Sequence, residues 1–154
     1  AIALCCGPGI LIADEPTTAL DVTVQAQIIG LLKKLKIERN LTLVLITHDL
    51  HLAAELCDRV VVMYAGEIVE DGHINNEKAA RHPYTKALFE IIPDIKGKKK
   101  EFKVIPGSVP DLHILEKKCS FYGRCGRRRD ECAADHPNIE NGVRCLYPFK
   151  VENV

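Results

Sequence analysis

The chain has 154 residues, 47% hydrophobic and 27% charged, and its 21 basic side chains balance its 21 acidic ones. That length fits one domain with at most a small appendage, and zero net charge excludes a global pull toward nucleic acid or anionic lipid. Tryptophan is absent, which argues against a base-stacking platform, and no apolar run approaches the roughly 18 residues that span a bilayer.

Residues 1–4 read as the tail of a helix, broken by Gly7-Pro8-Gly9. The N-terminal stretch has no basic leader, so a cytoplasmic chain is expected. Ile10 to Ala13 is a short apolar run, as for a strand buried on both faces. It ends on two adjacent carboxylates, Asp14 and Glu15, and Pro16 pushes Glu15 toward an extended conformation. Asp21 is a natural N-cap. From Thr23 to about Glu38 the positions Val24, Ile28, Leu31, Leu32 and Leu35 follow helical spacing, with Lys33, Lys34 and Lys36 on the other face. Residues 41–47 form a second buried strand, with His48 and Asp49 at its C-terminal end. A short helix over 50–56, a third strand over 59–64 and a hairpin return over 67–70 follow. Strand, helix, strand, helix, strand predicts a parallel α/β sheet with crossover helices. Ligands of such sheets gather beyond the strands' C-terminal ends, where Asp14, Glu15 and His48 all fall.

Beyond Gly72 the pattern changes. Short helices are expected over 76–81 and 84–92, around His82-Pro83. Lys96 to Lys103 reads as a solvated linker, and residues 104–112 are too rich in Pro and Gly for regular structure. Seven cysteines are an excess. Cys5, Cys6 and Cys57 sit among apolar residues and are expected to be buried thiols. Cys119, Cys125, Cys132 and Cys145 cluster at the end, with five, six and twelve residues between them. In a reducing compartment such a cluster points to metal before disulfides. The spacing lacks paired CxxC knuckles and suits an iron–sulfur cluster held by four thiolates. Arg124, Arg127, Arg128 and Arg129 would offset the thiolate charge. Zinc, with His113 or His136 replacing one cysteine, and plain reduced thiols are the alternatives.

The chemistry of the first half is that of phosphate. A strand-end carboxylate can hold Mg²⁺, its neighbour can polarise a water, and His48 on the adjacent strand can reach a phosphate oxygen. Taken singly, Glu15 reads as a surface acid and His48 as a strand-end residue. ADEPTTALD, Ala13 to Asp21, followed by THDL, Thr47 to Leu50, resembles the ATP-binding subunit of an ABC transporter. The next strand and hairpin, Asp58 to Gly72, fit the same family. The resemblance implies ATP and Mg²⁺ as ligands, Asp14 as the Mg²⁺ carboxylate, and Glu15 as general base. It also implies that His48 senses the γ-phosphate and that Asp21 acts across a dimer interface. HPYTKAL, His82 to Leu88, then IPGSVPDL, Ile105 to Leu112, then the four cysteines, is similar to the C-terminal extension of oligopeptide, dipeptide and nickel importer ATPases. That branch also suggests a [4Fe–4S] cluster.

Two family motifs do not occur in these 154 residues: the GxxxxGK[ST] phosphate loop and the LSGGQ-type signature. The chain is therefore expected to begin just after the signature and, alone, to bind ATP poorly and to be inactive. The expected fold is an incomplete P-loop ATPase sheet over residues 1–74 and an irregular Cys-rich extension over 75–154. The expected function is the energising of peptide import. Its expected partners are a second ATP-binding subunit and a membrane permease at the cytoplasmic face, with no nucleic acid. A non-catalytic remnant that binds metal and docks a partner is the competing reading. An ABC-type DNA-repair ATPase is disfavoured by the HPYTKAL segment, the missing coiled-coil heptads and the neutral charge.

Overall fold

The computed structural model describes residues 2–91, 104–111 and 117–151. The linker expected over 96–103 lies outside them. The chain divides into two compact units, residues 1–58 and 59–154, so the hairpin grouped above with the ATPase half packs within the second unit.

In the first unit, a 3₁₀ turn over Ile2–Leu4 leads to β1 (Ile10–Asp14), α1 (Val22–Glu38), β2 (Thr42–Ile46) and α2 (Leu50–Leu56). Strands β1 and β2 pair in parallel, with Ile10 opposite Thr42 and Asp14 opposite Ile46. Both helices start on the aspartates that sequence assigns to them. Asp21 accepts the Val24 amide at 2.9 Å and Asp49 accepts the Leu52 amide at 3.0 Å, each satisfying one orphan donor of a first turn. Lys33 pairs with Glu55 at 2.5 Å. Lys36 pairs with Asp58 at 2.7 Å and donates to the Leu56 carbonyl at 3.1 Å. These contacts clip α1 to the C-terminal end of α2, where a cation is favoured by the helix dipole.

Two expectations fail here. Neither strand is buried on both faces: Ile10 and Ile12 are 62% and 67% exposed, and Val44 and Ile46 lie beside them, also exposed. One face of the two-stranded sheet is thus an uncovered apolar surface. Cys5 and Cys6 are likewise exposed rather than buried.

The second unit opens with β3 (Val60–Tyr64) and β4 (Glu67–Gly72), followed by α3 (Pro83–Ile91) and, in the Cys-rich segment, a 3₁₀ turn at Tyr122–Arg124 and the short α4 (Glu131–Ala134). As the hairpin expected from the sequence, β3 pairs antiparallel with β4. The hairpin closes through Ala65-Gly66, both at positive φ (49° and 78°), the two-residue turn that matches strand twist. A bulge between Val62 and Met63 breaks the alternation of β4, so consecutive residues Val69 and Glu70 both face inward, 1% and 3% exposed.

Glu70 explains where α3 begins. Its carboxylate accepts the amides of Arg81 at 2.7 Å and His82 at 2.9 Å. Those donors lie immediately before Pro83, which starts the helix without an amide proton of its own. The helix expected over 76–81 is instead a turn. Asn76 Oδ1 accepts the amides of Lys78 and Ala79 at 2.9 and 3.1 Å, the local side-chain bonding that competes with helix. Tyr64, Tyr84 and Phe121 form the aromatic centre of the unit, with ring centroids 4.8 to 5.4 Å apart. A short strand-like segment, residues 142–144, lies along β4: the Asp71 amide donates to Gly142 O at 2.8 Å and the Arg144 amide to Val69 O at 2.9 Å. Only glycine fits at 142. Its φ is +80°, and a Cβ would lie 2.4 Å from Asp71 O.

His82 is 1% exposed. Its Nδ1 accepts the Tyr84 amide at 3.1 Å, which requires that nitrogen to be unprotonated. Burial lowers its pKa from 6.5 to about 4. The unfolded chain therefore binds this proton first, and stability present above pH 6.5 is lost as pH falls toward 4. The shift corresponds to at most about 3 kcal/mol. Urea midpoints measured from pH 7 down to pH 4 should fall more steeply for the native chain than for His82→Gln. Parallel curves would show that His82 carries no such charge penalty.

Candidate functional site

Backbone geometry brings the acidic strand end to the histidine. At the end of β1 the Glu15 amide donates to Ile46 O at 2.9 Å, extending the parallel ladder by one residue. Glu15 then turns through φ 46°, a left-handed conformation that a residue with a Cβ rarely adopts. The extended conformation expected before Pro16 is therefore not found. Two turns follow, with the Thr18 amide on Glu15 O at 3.1 Å and the Leu20 amide on Thr17 O at 3.3 Å.

This path presents the Glu15 carboxylate to two partners. His48 Nδ1 lies 2.9 Å from both carboxylate oxygens, and the Thr18 hydroxyl donates to Oε2. These bonds, Thr18 first and His48 second, hold the Glu15 carboxyl below its usual 4.5. The same bond to Glu15 raises His48 above its usual 6.5. Both groups are open to water, so the pairing sets protonation and orientation, not stability. Asp14 is exposed at the strand end, opposite Ile46, and its carboxylate has no ion-pair partner among the described residues. That suits a carboxylate available to a hydrated Mg²⁺. Asp21 is engaged as the α1 cap. Three of the four residues named for this site, Asp14, Glu15 and His48, thus meet at two neighbouring strand ends, and Asp21 stands six residues beyond Glu15 on the same loop. Thr18 was not anticipated, although it lies within the quoted PTT stretch.

The second candidate site is the cysteine segment. Cys119, Cys125, Cys132 and Cys145 all border one cavity, together with His82, Arg127 and Arg128. Burial pushes the Cys119 thiol up to about 11, and the other three cysteines add to that shift; Cys125 and Cys145 are also raised, chiefly by burial. In three cases the amide two residues on is directed at the sulfur: Phe121 for Cys119, Arg127 for Cys125 and Tyr147 for Cys145. A donor so placed favours thiolate over thiol. Among the described residues no three His, Cys, Asp or Glu side chains stand ready as a coordinating group. The thiols share a cavity without being drawn to a common point.

The basic residues divide. Arg127 and Arg128 border the cavity. Arg124 instead donates to the carbonyls of Pro106 at 3.0 Å and Ile105 at 3.2 Å, and Arg129 stacks on Tyr147 at 4.0 Å. The zinc alternative loses support from His136, which pairs with Glu67 at 3.0 Å and is not among the residues lining the cavity. His113 lies outside the described residues. Glu70 and Arg144 were not anticipated, and His82 was quoted in HPYTKAL without a role.

With this geometry in view, the known proteins it matches can be set beside it. Residues 73–132 match the family model described as the oligopeptide/dipeptide transporter, C-terminal region. The chain is similar to the C-terminal portion of ATP-binding subunits of peptide ABC transporters. Among its relatives are the dipeptide transport ATP-binding protein DppD of Escherichia coli, 45% identical over 97% of this chain and 47% of the relative. The oligopeptide transport ATP-binding protein AppD of Bacillus subtilis is 46% identical over 95% of this chain and 46% of its own length. OppD of Haemophilus influenzae, also an oligopeptide transport ATP-binding protein, is 48% identical over 86% of this chain and 41% of its own. The chain thus spans about half the length of the curated relatives it matches. Among the described residues no helix is long and apolar enough to cross a membrane.

The His48–Glu15 contact makes a direct prediction. By NMR titration, His48 should show a midpoint above 6.5, and Glu15→Gln should bring it down. An unchanged midpoint would mean that the two side chains do not pair in solution.

Proposed function

We propose that this chain is the C-terminal part of an ATPase subunit that powers the import of peptides or related solutes, hydrolysing ATP when joined to a phosphate-loop half. The observation that carries this reading is the direct contact of Glu15 with His48, at the ends of paired parallel strands and next to Asp14. The names of the relatives, dipeptide and oligopeptide transport ATP-binding proteins, supply the class of solute.

Each residue has a part. Asp14 would hold Mg²⁺, which neutralises phosphate charge when bound. Glu15, ionised at neutral pH and oriented by Thr18 and His48, accepts a proton from the attacking water. Its low pKa keeps it deprotonated, and the hydrogen bonds limit its rotation. His48 faces Glu15 through Nδ1, which leaves its other ring nitrogen for a phosphate oxygen. Asp21, at the head of α1, stands where a second ATP-binding subunit would meet the loop. That assembly would sit on a membrane permease at the cytoplasmic face.

Most phosphate contacts in such enzymes come from backbone amides and a lysine of the phosphate loop. The chain alone should show no saturable micromolar binding of mant-ATP. Combined with a phosphate-loop half carrying the signature, it should hydrolyse ATP. Tight nucleotide binding by the chain alone, or no hydrolysis by a folded, complemented assembly, would contradict this reading.

The four cysteines favour a second, compatible role. We infer that Cys119, Cys125, Cys132 and Cys145 hold a [4Fe–4S] cluster, with Zn²⁺ as the alternative occupant. The donor set fits: four thiols around one cavity, three with amides aimed at sulfur, and Arg127 and Arg128 at the rim. Should the ATPase site be inactive in the complete protein, this centre would be the working part of a metal-binding, partner-docking module. Protein prepared anaerobically should contain iron and sulfide in equal amounts with the visible absorption of a thiolate-bound cluster. Zinc without iron would favour the alternative, and neither metal would leave plain thiols.

A further inference from the structure

The zero net charge of the chain conceals a segregation of its cations. Residues 117–129 carry six basic side chains, Lys117, Lys118, Arg124, Arg127, Arg128 and Arg129, and no acid. The fold gathers four of them, with Lys86 of α3, onto three aromatic rings. Arg127 and Lys86 share Phe149, at 4.1 and 4.4 Å from the ring centroid. Arg128 and Lys118 share Tyr122, each at 5.9 Å. Arg129 lies 4.0 Å from the centre of the Tyr147 ring. Tyr122, Tyr147, Arg127 and Arg128 border the same cavity, so the three rings and their cations form one continuous surface. Two features set it apart from a solvated basic loop. Among the described residues, Lys86, Arg127, Arg128 and Arg129 have no ion pair, and the acids that follow, Asp130 and Glu131, do not reach them. Like charges are thus held together without an internal counter-charge, a repulsion that an external anion relieves. The rings also hold the cations in place while Arg127, Arg128 and Arg129 stay exposed. Leu146, next to Tyr147 and 37% exposed, adds an apolar edge.

We propose that this surface of the second unit, Lys86, Lys118, Arg127, Arg128 and Arg129 on their aromatic supports, binds the anionic phospholipid headgroups of a bilayer. The inference rests on the reading of the chain as part of a subunit working beside a permease at the cytoplasmic face, where such headgroups lie. Nucleic acid fits less well. Stacking of bases needs open ring faces, and here the rings carry cations. A phosphate needs only the charges, and an arginine offers it two parallel hydrogen bonds. Each basic side chain near an anionic bilayer strengthens binding about fivefold. Five together hold a surface against the membrane reversibly, as a second contact beside a permease rather than as an independent anchor.

The test is co-sedimentation of the whole reduced chain with vesicles made of equal parts phosphatidylglycerol and phosphatidylcholine, against vesicles of phosphatidylcholine alone. The chain should bind the anionic vesicles and not the neutral ones, and added salt should release it. The triple variant Arg127→Gln/Arg128→Gln/Arg129→Gln should bind about a hundredfold more weakly. Arg127→Lys/Arg128→Lys/Arg129→Lys keeps the charges and should retain most of the binding. Lys34→Gln/Arg39→Gln/Lys78→Gln removes the same charge elsewhere and should bind like the native chain. Native binding by the glutamine triple at 127–129 would overturn the proposal. So would equal losses in both glutamine triples, which would mean attraction through net charge alone. Binding to poly-uridine but not to the anionic vesicles would overturn it in favour of nucleic acid. Should the glutamine triple at 127–129 fail to fold by circular dichroism, Arg128→Gln decides, since its ring contact is looser than those of Arg127 and Arg129. Binding about fivefold weaker supports the role, and unchanged binding refutes it. The assay contains no nucleotide and no permease. Its failure leaves the ATPase reading untouched, and failed hydrolysis by the complemented assembly leaves the lipid result untouched.

Discussion

The parallel register of β1 against β2 is the constraint on which the acidic site depends. Asp14 lies opposite Ile46, and the Glu15 amide reaches the Ile46 carbonyl. A shift of one residue would reverse the faces of one strand relative to the other. It would take Glu15 away from His48, which begins two residues past Ile46. The turn at Glu15 completes the arrangement: a left-handed φ costs energy of order 1–3 kcal/mol and persists where its surroundings determine it. Here those surroundings are the ladder bond on one side and Thr18 and His48 on the other. The result is a carboxylate kept ionised by hydrogen bonds rather than by burial, a suitable state for accepting a proton from water.

A different logic builds the cysteine cavity. In the second unit the bulge in β4 turns Glu70 inward, Glu70 captures the amides before α3, and His82 is thereby buried with Nδ1 bonded to the Tyr84 amide. Arg144 then joins β4 to the Pro137 loop. Four thiols converge on one cavity through this framework, although the cysteines themselves span the last third of the chain. Burial, with the neighbouring cysteines, pushes the Cys119, Cys125 and Cys145 thiols up. A bound metal would reverse that balance, with the amides directed at sulfur already in place.

Much of this is legible in sequence because it rests on local signals. Asp21 and Asp49 announce their helices, alternation and a two-residue turn announce the hairpin, and the DE pair with THDL announces the site. What escapes is non-local. Burial of a strand is decided by what covers it, so the apolar runs of β1 and β2 suggested two buried faces where one is open. The inward turn of Glu70 depends on a bulge, and the placement of His82 on Glu70, twelve residues earlier. Thr18 and Arg144 carry no pattern of their own; only the fold shows what they touch. Asn76 is the exception, a local competitor for helix whose signal stood at the start of the helix expected over 76–81.

In the proposed function the β1–β2 strand ends are half of a hydrolytic centre in which Glu15 takes the proton. Single-turnover ATP hydrolysis by the full-length protein, assembled with its partner subunit, tests this most directly. Glu15→Gln preserves size and hydrogen bonding but not basicity. It should slow the hydrolytic step by about a hundredfold or more while leaving nucleotide binding intact. Turnover at the native rate would show that the acidic pair does something other than hydrolysis.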